Sequence, residues 1–437
     1  MTSIVFPNIE SIVERVSQIK IDKNSATQSF LNIENKKRSS LFPWRGQFSP
    51  QLVEYLLAEN TSNDCCILDP FCGGGTTLYE AARKNFTCYG SDVNPAAYIV
   101  SSIMNFCEIK STDRLSICRE IRNLASKNIS YFEDNSLFNS DAQYIVDFQN
   151  ELLDFYKECQ SSFENSIILT LCVMLAMGDQ DTANPGKFFK SINSVLDTIQ
   201  MLPYRKKKYT TLLSDARNLE LIKDSNIDLI LTSPPYINVF NYHQNYRKAL
   251  EFLGWKPLQA AVSEIGANRK HRRNRFLTVI QYCMDMCSAF LEMRRVLHEE
   301  GKVIIVVGRT SCVRGVSFEN SLLLVIIALG IAGFAVEKWQ ERFFTNRFGE
   351  RIYEDIFTLQ PESNPVSNYL EIARSVGVWG LQSSIKQATG EIKTDIHSAI
   401  ASASQVQVSP NLSVEIPSEW RFSTERVKNT LLTPKVE

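Results

Sequence analysis

Hydrophobic and polar residues are distributed along this chain in blocks that predict strands and helices in turn. Between short apolar runs, apolar residues recur three and four positions apart, the spacing of a helix with one buried face. Strands that alternate with helices in this way predict an α/β fold built on a largely parallel sheet. The predicted strands are residues 65–68, 87–92, 209–213, 227–231, 301–308, 334–345 and 351–359.

The same pattern divides the chain into four regions. Strand signals are scarce in the middle of the chain, which predicts a mostly helical insertion, and further helices are expected at 241–255, 281–297 and 320–333. The last region is rich in Ser, Thr, Gln and Asn and only weakly periodic. The predicted regions are an amino-terminal arm (1–47), an α/β domain (48–100 and 209–360), the helical insertion (101–208) and a carboxyl-terminal extension (361–437).

Composition narrows the class of protein. With 44% hydrophobic and 22% charged residues the chain resembles an ordinary globular protein, and its net charge of −1 requires any nucleic-acid surface to be local. The longest apolar run, 322–336, is too short to span a bilayer, and the amino terminus lacks a secretion signal. Eleven cysteines and four histidines show no metal-ligand spacing. We therefore expect a cytoplasmic protein with neither a membrane segment nor a metal.

A glycine-rich loop follows the first predicted strand. Residues 69–77 read Asp-Pro-Phe-Cys-Gly-Gly-Gly-Thr-Thr. The loop lacks both the lysine of a phosphate-binding loop and the GxGxxG spacing of dinucleotide-binding proteins. Asp69, the acid before the glycines, suits a ligand that carries an amine. Asp92 ends the next strand, a position where an acid typically holds ribose hydroxyls, and Asp215 could accept a hydrogen bond from an adenine amine. These demands together predict S-adenosylmethionine as the ligand.

A second motif ends the strand at 227–231. Ser233-Pro234-Pro235-Tyr236 forms a stiff turn, because proline cannot continue the ladder of hydrogen bonds. Ligands bind at the carboxyl ends of strands in open α/β sheets. The turn therefore predicts a pocket for a flat ring that bears an amine.

These residues resemble the DNA amino-methyltransferase family. Residues 69–76 resemble its cofactor motif, residues 232–236 its catalytic motif in the cytosine-N4 form, and residues 48–50 the segment that closes over the methionine end of the cofactor. The resemblance covers about 42–100 and 209–360, and implies a Rossmann-like class I methyltransferase sheet with helices on both faces. It implies a catalytic set of Ser233, Pro234, Pro235 and Tyr236, and a cofactor set of Phe48, Asp69, Pro70, Phe71, Cys72, Gly73, Gly75, Thr76, Asp92 and Asp215.

The resemblance also implies a reaction and its partners. The expected function is methyl transfer to N4 of a cytosine flipped out of duplex DNA, within a restriction-modification system that would include a cognate endonuclease. Adenine N6 stays open, since those enzymes more often carry Asp or Asn in place of Ser233. An RNA guanine-N2 methyltransferase and a binding module without turnover are further alternatives. Carbon-5 chemistry is disfavoured because the chain has no Pro-Cys pair.

DNA contacts are expected on a basic segment after the catalytic motif. The predicted phosphate-binding residues are Arg269, Lys270, Arg272, Arg273 and Arg275. A second basic run, 205–208, and the helical insertion are alternative DNA-binding regions. Tyr242 and Tyr246 could line the base pocket or pack within a helix. Such a protein would be nucleoid-associated through DNA.

Overall fold

The computed structural model describes residues 9–417 apart from 24, 34–36, 63, 136–141, 239–240, 268–270, 346–347, 413 and 415. Its strands are β1 (Cys66–Asp69), β2 (Thr87–Asp92), β3 (Tyr209–Leu213), β4 (Ile227–Thr232), β5 (Leu297–Gly308), β6 (Ser311–Val313), β7 (Val316–Phe318), β8 (Phe334–Thr345) and β9 (Arg351–Pro361). Seven of them form one sheet in the order β3-β2-β1-β4-β5-β9-β8. The first five are parallel, whereas β9 runs antiparallel to both neighbours. This order confirms the predicted α/β class with a Rossmann-like sheet.

Helices cover both faces of the sheet. They are α1 (Ile9–Ser17), α2 (Ser25–Asn32), α3 (Pro50–Asn60), α4 (Thr76–Lys84), α5 (Pro95–Ser102), α6 (Ser111–Asn135), α7 (Ala142–Glu158), α8 (Phe163–Met177), α9 (Pro185–Met201), α10 (Arg247–Phe252), α11 (Pro257–Ala260), α12 (Leu277–Val296), α13 (Asn320–Gly330), α14 (Tyr369–Ser384) and α15 (Gly390–Ala401). Among the described residues, no helix is long and apolar enough to cross a membrane.

Alternate residues of the central strands point into two separate cores. Ile67 and Leu229 belong to the core on one face, whereas their neighbours Leu68 and Ile230 belong to the core on the other. Side chains of a strand alternate between faces, so strands covered on both faces read as continuous apolar runs. This explains why β1, β4 and β5 could be predicted from short apolar segments.

The spacing of apolar residues predicts the helices of the insertion correctly, but it does not predict the interruption of the helix expected over 241–255. Helices α6 to α9 fall within 101–208, as expected. The predicted helix over 241–255 is interrupted: a 3₁₀ turn at Tyr242–Gln244 precedes the short α10, and Tyr246 between them has a left-handed backbone with φ 52°.

The carboxyl-terminal extension is folded against the α/β domain. Helix α14 lies on α12 so closely that a Cβ on Gly377 would be 2.6 Å from Cα of Ile280. The amino-terminal arm also packs onto the domain, since α1 contacts α13 and α2 contacts β8. Weak periodicity in the extension therefore concealed α14 and α15, and in α14 the absence of a side chain at Gly377 permits close packing on α12.

Candidate active site

The candidate site is a cavity of about 320 Å³ at the carboxyl ends of the central strands. The chain leaves β1 toward β2 on one side and reaches β4 on the other, so the order of strands reverses at β1. Such a switch point is where doubly wound sheets bind ligands. Both predicted motifs open into this one cavity: its lining includes Gly73 of the glycine loop and Ser233 of the catalytic turn.

Asp69 fastens the glycine loop to the sheet. Its Oδ1 accepts a hydrogen bond from the Thr232 hydroxyl at 2.6 Å, and its Oδ2 accepts one from the Thr77 hydroxyl at 2.7 Å. Oδ1 also accepts from the Phe71 amide at 3.1 Å. Burial raises the pKa of Asp69 to about 6, and these three donors lower it. The carboxylate expected to meet a ligand amine thus joins β1, β4 and α4 within the protein.

Two glycines of the loop have positive φ, and each is crowded by a neighbour. A Cβ on Gly73 would lie 3.0 Å from Nε1 of Trp44, and one on Gly75 would lie 3.0 Å from Cα of Ser101. Gly75 is the left-handed N-cap of α4 and does not line the cavity, contrary to its predicted cofactor contact. Its glycine is required by the turn into the helix.

The other predicted cofactor residues lie around the loop. Phe48 and Ser49 stand at the start of α3, and the cavity is lined by them together with Pro70, Phe71, Cys72, Gly74 and Thr76. Trp44 also lines the cavity, although no sequence pattern indicated it. It packs across Gly73 and Gly74, so it forms a wall above the loop.

Asp92 presents a carboxylate to the cavity at the end of β2. Its Oδ2 accepts from the Gly73 amide at 3.0 Å and its Oδ1 from the Asn94 amide at 2.9 Å. Burial is the main reason why the pKa of Asp92 rises to about 7; these two amides lower it, and nearby Glu264 raises it again. Each oxygen retains a lone pair that a hydroxyl donor could use.

Asp215 lines the cavity beyond β3 and is paired with Arg217. The guanidinium donates from Nε to Oδ1 at 2.9 Å and from Nη2 to Oδ2 at 2.6 Å. Both side chains are 4% exposed. The predicted adenine acceptor is thus held in place by a buried arginine on its far side.

The catalytic turn follows β4 directly. Ser233, Pro235 and Tyr236 line the cavity, whereas Pro234 is buried and does not. The Tyr282 hydroxyl donates to the Pro235 carbonyl oxygen at 3.0 Å, which fixes the second half of the turn. The turn is therefore supported by α12 from below.

Tyr236 is held at two points. A Cβ on Gly308 would lie 2.8 Å from Cε2 of the tyrosine, so the ring rests on the bare backbone at the end of β5. The Tyr236 hydroxyl donates to Oε1 of Glu354 at 2.8 Å. Burial and the Glu354 carboxylate raise the pKa of Tyr236 well above its usual value, so the phenol stays protonated. Gly308 and Glu354 are cross-strand partners, so both contacts come from one position of the sheet.

The β8–β9 hairpin supplies a wall that sequence reasoning missed. Arg342, Phe344 and Glu354 line the cavity, and Arg342 Nε lies 2.8 Å from Oε2 of Glu354. These residues lie more than a hundred positions from Ser233 and belong to no local motif. Their arrival at the site depends on how β9 pairs with β5.

The lining of the cavity is acidic. It contains five carboxylates and one guanidinium, that of Arg342. Among them, Glu264 accepts from Nδ1 of buried His243 at 2.7 Å. The carboxylates are Asp69, Asp92, Asp215, Glu264 and Glu354. Such a lining favours a ligand with net positive charge. Within the described residues no group of three or more His, Cys, Asp or Glu side chains could hold a metal ion.

The described residues of the predicted DNA-binding segment do not line the cavity. Arg272, Arg273 and Arg275 are exposed, whereas Arg269 and Lys270 lie outside the described residues. The Nδ2 group of Asn274 donates to the Asp395 carbonyl at 2.7 Å, which ties the segment to α15.

The alternative DNA-binding and base-pocket residues divide between structural and cavity positions. Arg205 donates to the carbonyls of Ala82 and Arg83, a structural role that weighs against its alternative assignment to DNA. Tyr242 lines the cavity, but Tyr246 donates its hydroxyl to the Pro43 carbonyl at 2.7 Å instead.

Comparison with known proteins agrees with this geometry. The N6/N4 family model described as DNA methylase matches residues 9–103. Type II methyltransferase M.BsoBI of Geobacillus stearothermophilus is 23% identical over 307 residues, covering 57% of this chain and 60% of the relative. Type II methyltransferase M.MjaII of Methanocaldococcus jannaschii is 21% identical over 399 residues, covering 65% and 74%. The chain thus spans 60% of the length of the first relative.

A solved S-adenosylmethionine-dependent methyltransferase from Methanosarcina mazei is 11% identical, covering 70% of this chain and 97% of that one, with a TM-score of 0.32. The sheet and the helices on both of its faces fit an α/β class I methyltransferase fold, and the glycine loop and the acidic cavity fit S-adenosylmethionine as its ligand. The family model and the two relatives show that the chain is similar to DNA amino-methyltransferases.

Proposed function

We propose that this protein transfers a methyl group to the exocyclic N4 amine of cytosine in duplex DNA. One observation carries the proposal: the Ser233 turn and the Gly73 loop, which are 160 residues apart in the chain, line the same cavity. The two relatives are Type II methyltransferases by name. We extend that role to this chain, with a cognate endonuclease as its partner in restriction-modification.

The residues present fit S-adenosylmethionine. Gly73 and Gly74 leave backbone at the surface of the cavity, Asp92 offers acceptors for ribose hydroxyls, and Asp215 offers one for the adenine amine. The acidic lining suits a ligand whose sulfonium and ammonium outweigh its carboxylate. When bound, the cofactor supplies an electrophilic methyl group. Phe48 and Trp44 would exclude water from its sides.

The catalytic turn would prepare the amine for attack. The lone pair of an aromatic amine is delocalised into the ring, and acceptors placed for its two N–H groups favour a pyramidal nitrogen. The Ser233 hydroxyl oxygen would accept one of them, and the Pro234 carbonyl is the proposed second acceptor. Tyr236 would stack on the base, which must leave the duplex to reach the cavity. Orientation of the nitrogen contributes much of the rate.

Nucleoside analysis tests the base assignment. The full chain is incubated with S-adenosylmethionine and duplex DNA, and the digested nucleosides are identified by mass spectrometry. We expect N4-methylcytosine. N6-methyladenine as the sole product would overturn the choice of cytosine, and methylation of RNA alone would overturn the choice of DNA. Cofactor binding without transfer would show a binding module.

Substitution at the turn tests the site. Ser233→Ala should lower kcat about 100-fold, since it removes an acceptor aimed at the reacting amine. Ser375→Ala, the same change on the exposed face of α14, should leave kcat unchanged. Equal activity of the two variants would contradict the assignment of Ser233.

Phosphate contacts are proposed for the exposed arginines after the catalytic turn. Arg272→Ala with Arg273→Ala should reduce the salt slope of DNA binding by about 1.8, because each lost phosphate contact removes about 0.9. Lys84 and Lys223 are exposed and precede the amino ends of strands, away from the carboxyl ends that form the cavity. Lys84 is the last residue of α4, before β2, and Lys223 lies shortly before β4. The double variant Lys84→Ala with Lys223→Ala is the control, and an equal slope in both variants would refute this placement.

A further inference from the structure

The main chain of residues 406–410, here called the strap, lies along α12 and is held by side chains from three parts of the fold. Arg374 Nη2 donates to the Val406 carbonyl at 3.0 Å, and Gln281 Nε2 donates to that of Gln407 at 2.8 Å. Further along, the Ser409 amide donates to Oδ1 of Asp285 at 2.8 Å. These bonds fix the path of the strap, which ends at Arg217.

Arg217 joins the strap to the cavity wall. Its Nε and Nη2 hold Asp215, while its Nη1 donates to Oδ1 of Asp285 and to the Ser409 carbonyl, both at 2.8 Å. Its Nη2 also donates to the Pro410 carbonyl at 2.9 Å. The Arg217 side chain is 4% exposed, and its N–H groups are divided between the cavity carboxylate, α12, the strap and the Ser263 carbonyl, which lies 3.3 Å from Nη2.

The division of these hydrogen bonds has an energetic consequence. Unpaired N–H groups of a buried guanidinium are costly, so loss of the two strap carbonyls would favour another orientation of Arg217. Asp215 would then lose the bidentate pairing that fixes its carboxylate at the cavity. The Ser409 hydroxyl also donates to Oδ2 of Asp285, so the same strap residue binds both Arg217 and its partner Asp285.

We propose that the strap is a component of the cofactor site and that Arg217 is the positioning residue through which it acts. This inference rests on the proposed function, in which Asp215 accepts from the adenine amine. Coupling of this kind is reciprocal: an ordered strap strengthens cofactor binding, and bound cofactor orders the strap.

Affinity measurements on the full chain test the coupling. S-adenosylmethionine is titrated calorimetrically into the wild type, Arg217→Lys and Ser409→Ala, with thermal denaturation of each variant. Lysine keeps the charge but cannot reach Asp215 and the strap carbonyls together, so we expect about tenfold weaker binding. Ser409→Ala should weaken binding about fivefold. Ser404→Ala, the same change at an exposed site just before the strap, should have no effect.

The outcomes separate this inference from the function on which it rests. A wild type that fails to bind the cofactor would overturn the proposed function. A wild type that binds, with folded variants of equal affinity, would overturn only the role of the strap. A purely structural role would lower the melting temperature without changing the dissociation constant.

Hydrogen exchange provides a second readout that needs no variant. Saturating S-adenosylhomocysteine should slow exchange of the strap amides, including that of Ser409, at least fivefold. Peptides from α7, which is distant in sequence from both strap and cavity, serve as the reference. Protection of the glycine loop without any protection of the strap would contradict the coupling.

Discussion

Replacing Gly308 by alanine should displace the ring that we place against the target base. Gly308 ends β5, and its lack of a side chain leaves room for Tyr236 to lie on the backbone. The new Cβ would stand 2.8 Å from Cε2 and 3.1 Å from Cδ2 of that ring. Carbon atoms pack at roughly 3.5 Å or more, so the ring must move by about 0.7 Å toward the cavity.

The displacement acts on the reaction more than on cofactor binding. A movement of this size would stretch the 2.8 Å hydrogen bond from the Tyr236 hydroxyl to Glu354 and narrow the space for the base. Misplacement by about 1 Å can cost two orders of magnitude in rate, so we expect the single-turnover rate to fall at least about tenfold. The dissociation constant for S-adenosylmethionine should change by less than about twofold, because Gly308 does not line the cavity.

The assay is single-turnover transfer of a labelled methyl group to duplex DNA, with cofactor affinity measured in parallel. Gly380→Ala is the matched control: its Cβ would lie 3.0 Å from Cδ2 of Leu323, the movable end of a side chain on another part of the fold. A folded Gly308→Ala variant with the wild-type rate would refute the argument that Gly308 sets the position of Tyr236.

Three further predictions concern the cofactor and the amino-terminal arm. Because burial raises the pKa of Asp92 to about 7, the fraction of Asp92 that is an ionised carboxylate increases about tenfold between pH 6 and pH 8. The affinity for S-adenosylmethionine, measured by calorimetry, should increase accordingly over this range. Asp92→Asn should remove most of this dependence of affinity on pH. Trp44→Ala should weaken cofactor binding about tenfold, since it removes the wall above Gly73, and unchanged affinity would contradict this role. Arg38→Ala should lower the free energy of unfolding by about 2 kcal/mol in urea denaturation, because Arg38 donates to the buried Glu80 carboxylate at 2.6 Å; an unchanged midpoint would count against that anchor.

The cofactor half of the site could be predicted because it is local in sequence. Asp69, Gly73 and Asp92 all lie within a single strand-helix-strand unit, and the chemistry of each is visible in its residue type and its place at a strand end. What the sequence could not reveal was how their hydrogen bonds are distributed. Asp69 accepts hydrogen bonds from protein donors although it lines the cavity, and Gly75 forms the turn into α4 and does not line the cavity.

The second wall could not be predicted because it depends on tertiary pairing. Glu354 reaches Tyr236 because β9 lies between β5 and β8 in the sheet, in the register that places Glu354 opposite Gly308. Trp44 could not be predicted for a different reason: it precedes α3 in a segment without regular pattern. Neither Glu354 nor Trp44 belongs to a local sequence motif. The strand register that brings Glu354 to Tyr236 is a property of the folded sheet and cannot be inferred from the distance between the two residues in the sequence.

The cofactor half of the cavity and the half around Tyr236 depend on different parts of the fold. The glycine loop is a turn between β1 and α4 and needs only their local geometry, whereas Tyr236 needs β5 and β9 in register and α12 beneath the turn. Helix α12 also carries Asp285, which binds Arg217 and the strap. Displacement of this one helix would therefore disturb the catalytic turn through Tyr282 and the cofactor wall through Asp285. The extension that packs on α12 is thus connected to both halves of the site, although none of its described residues lines the cavity.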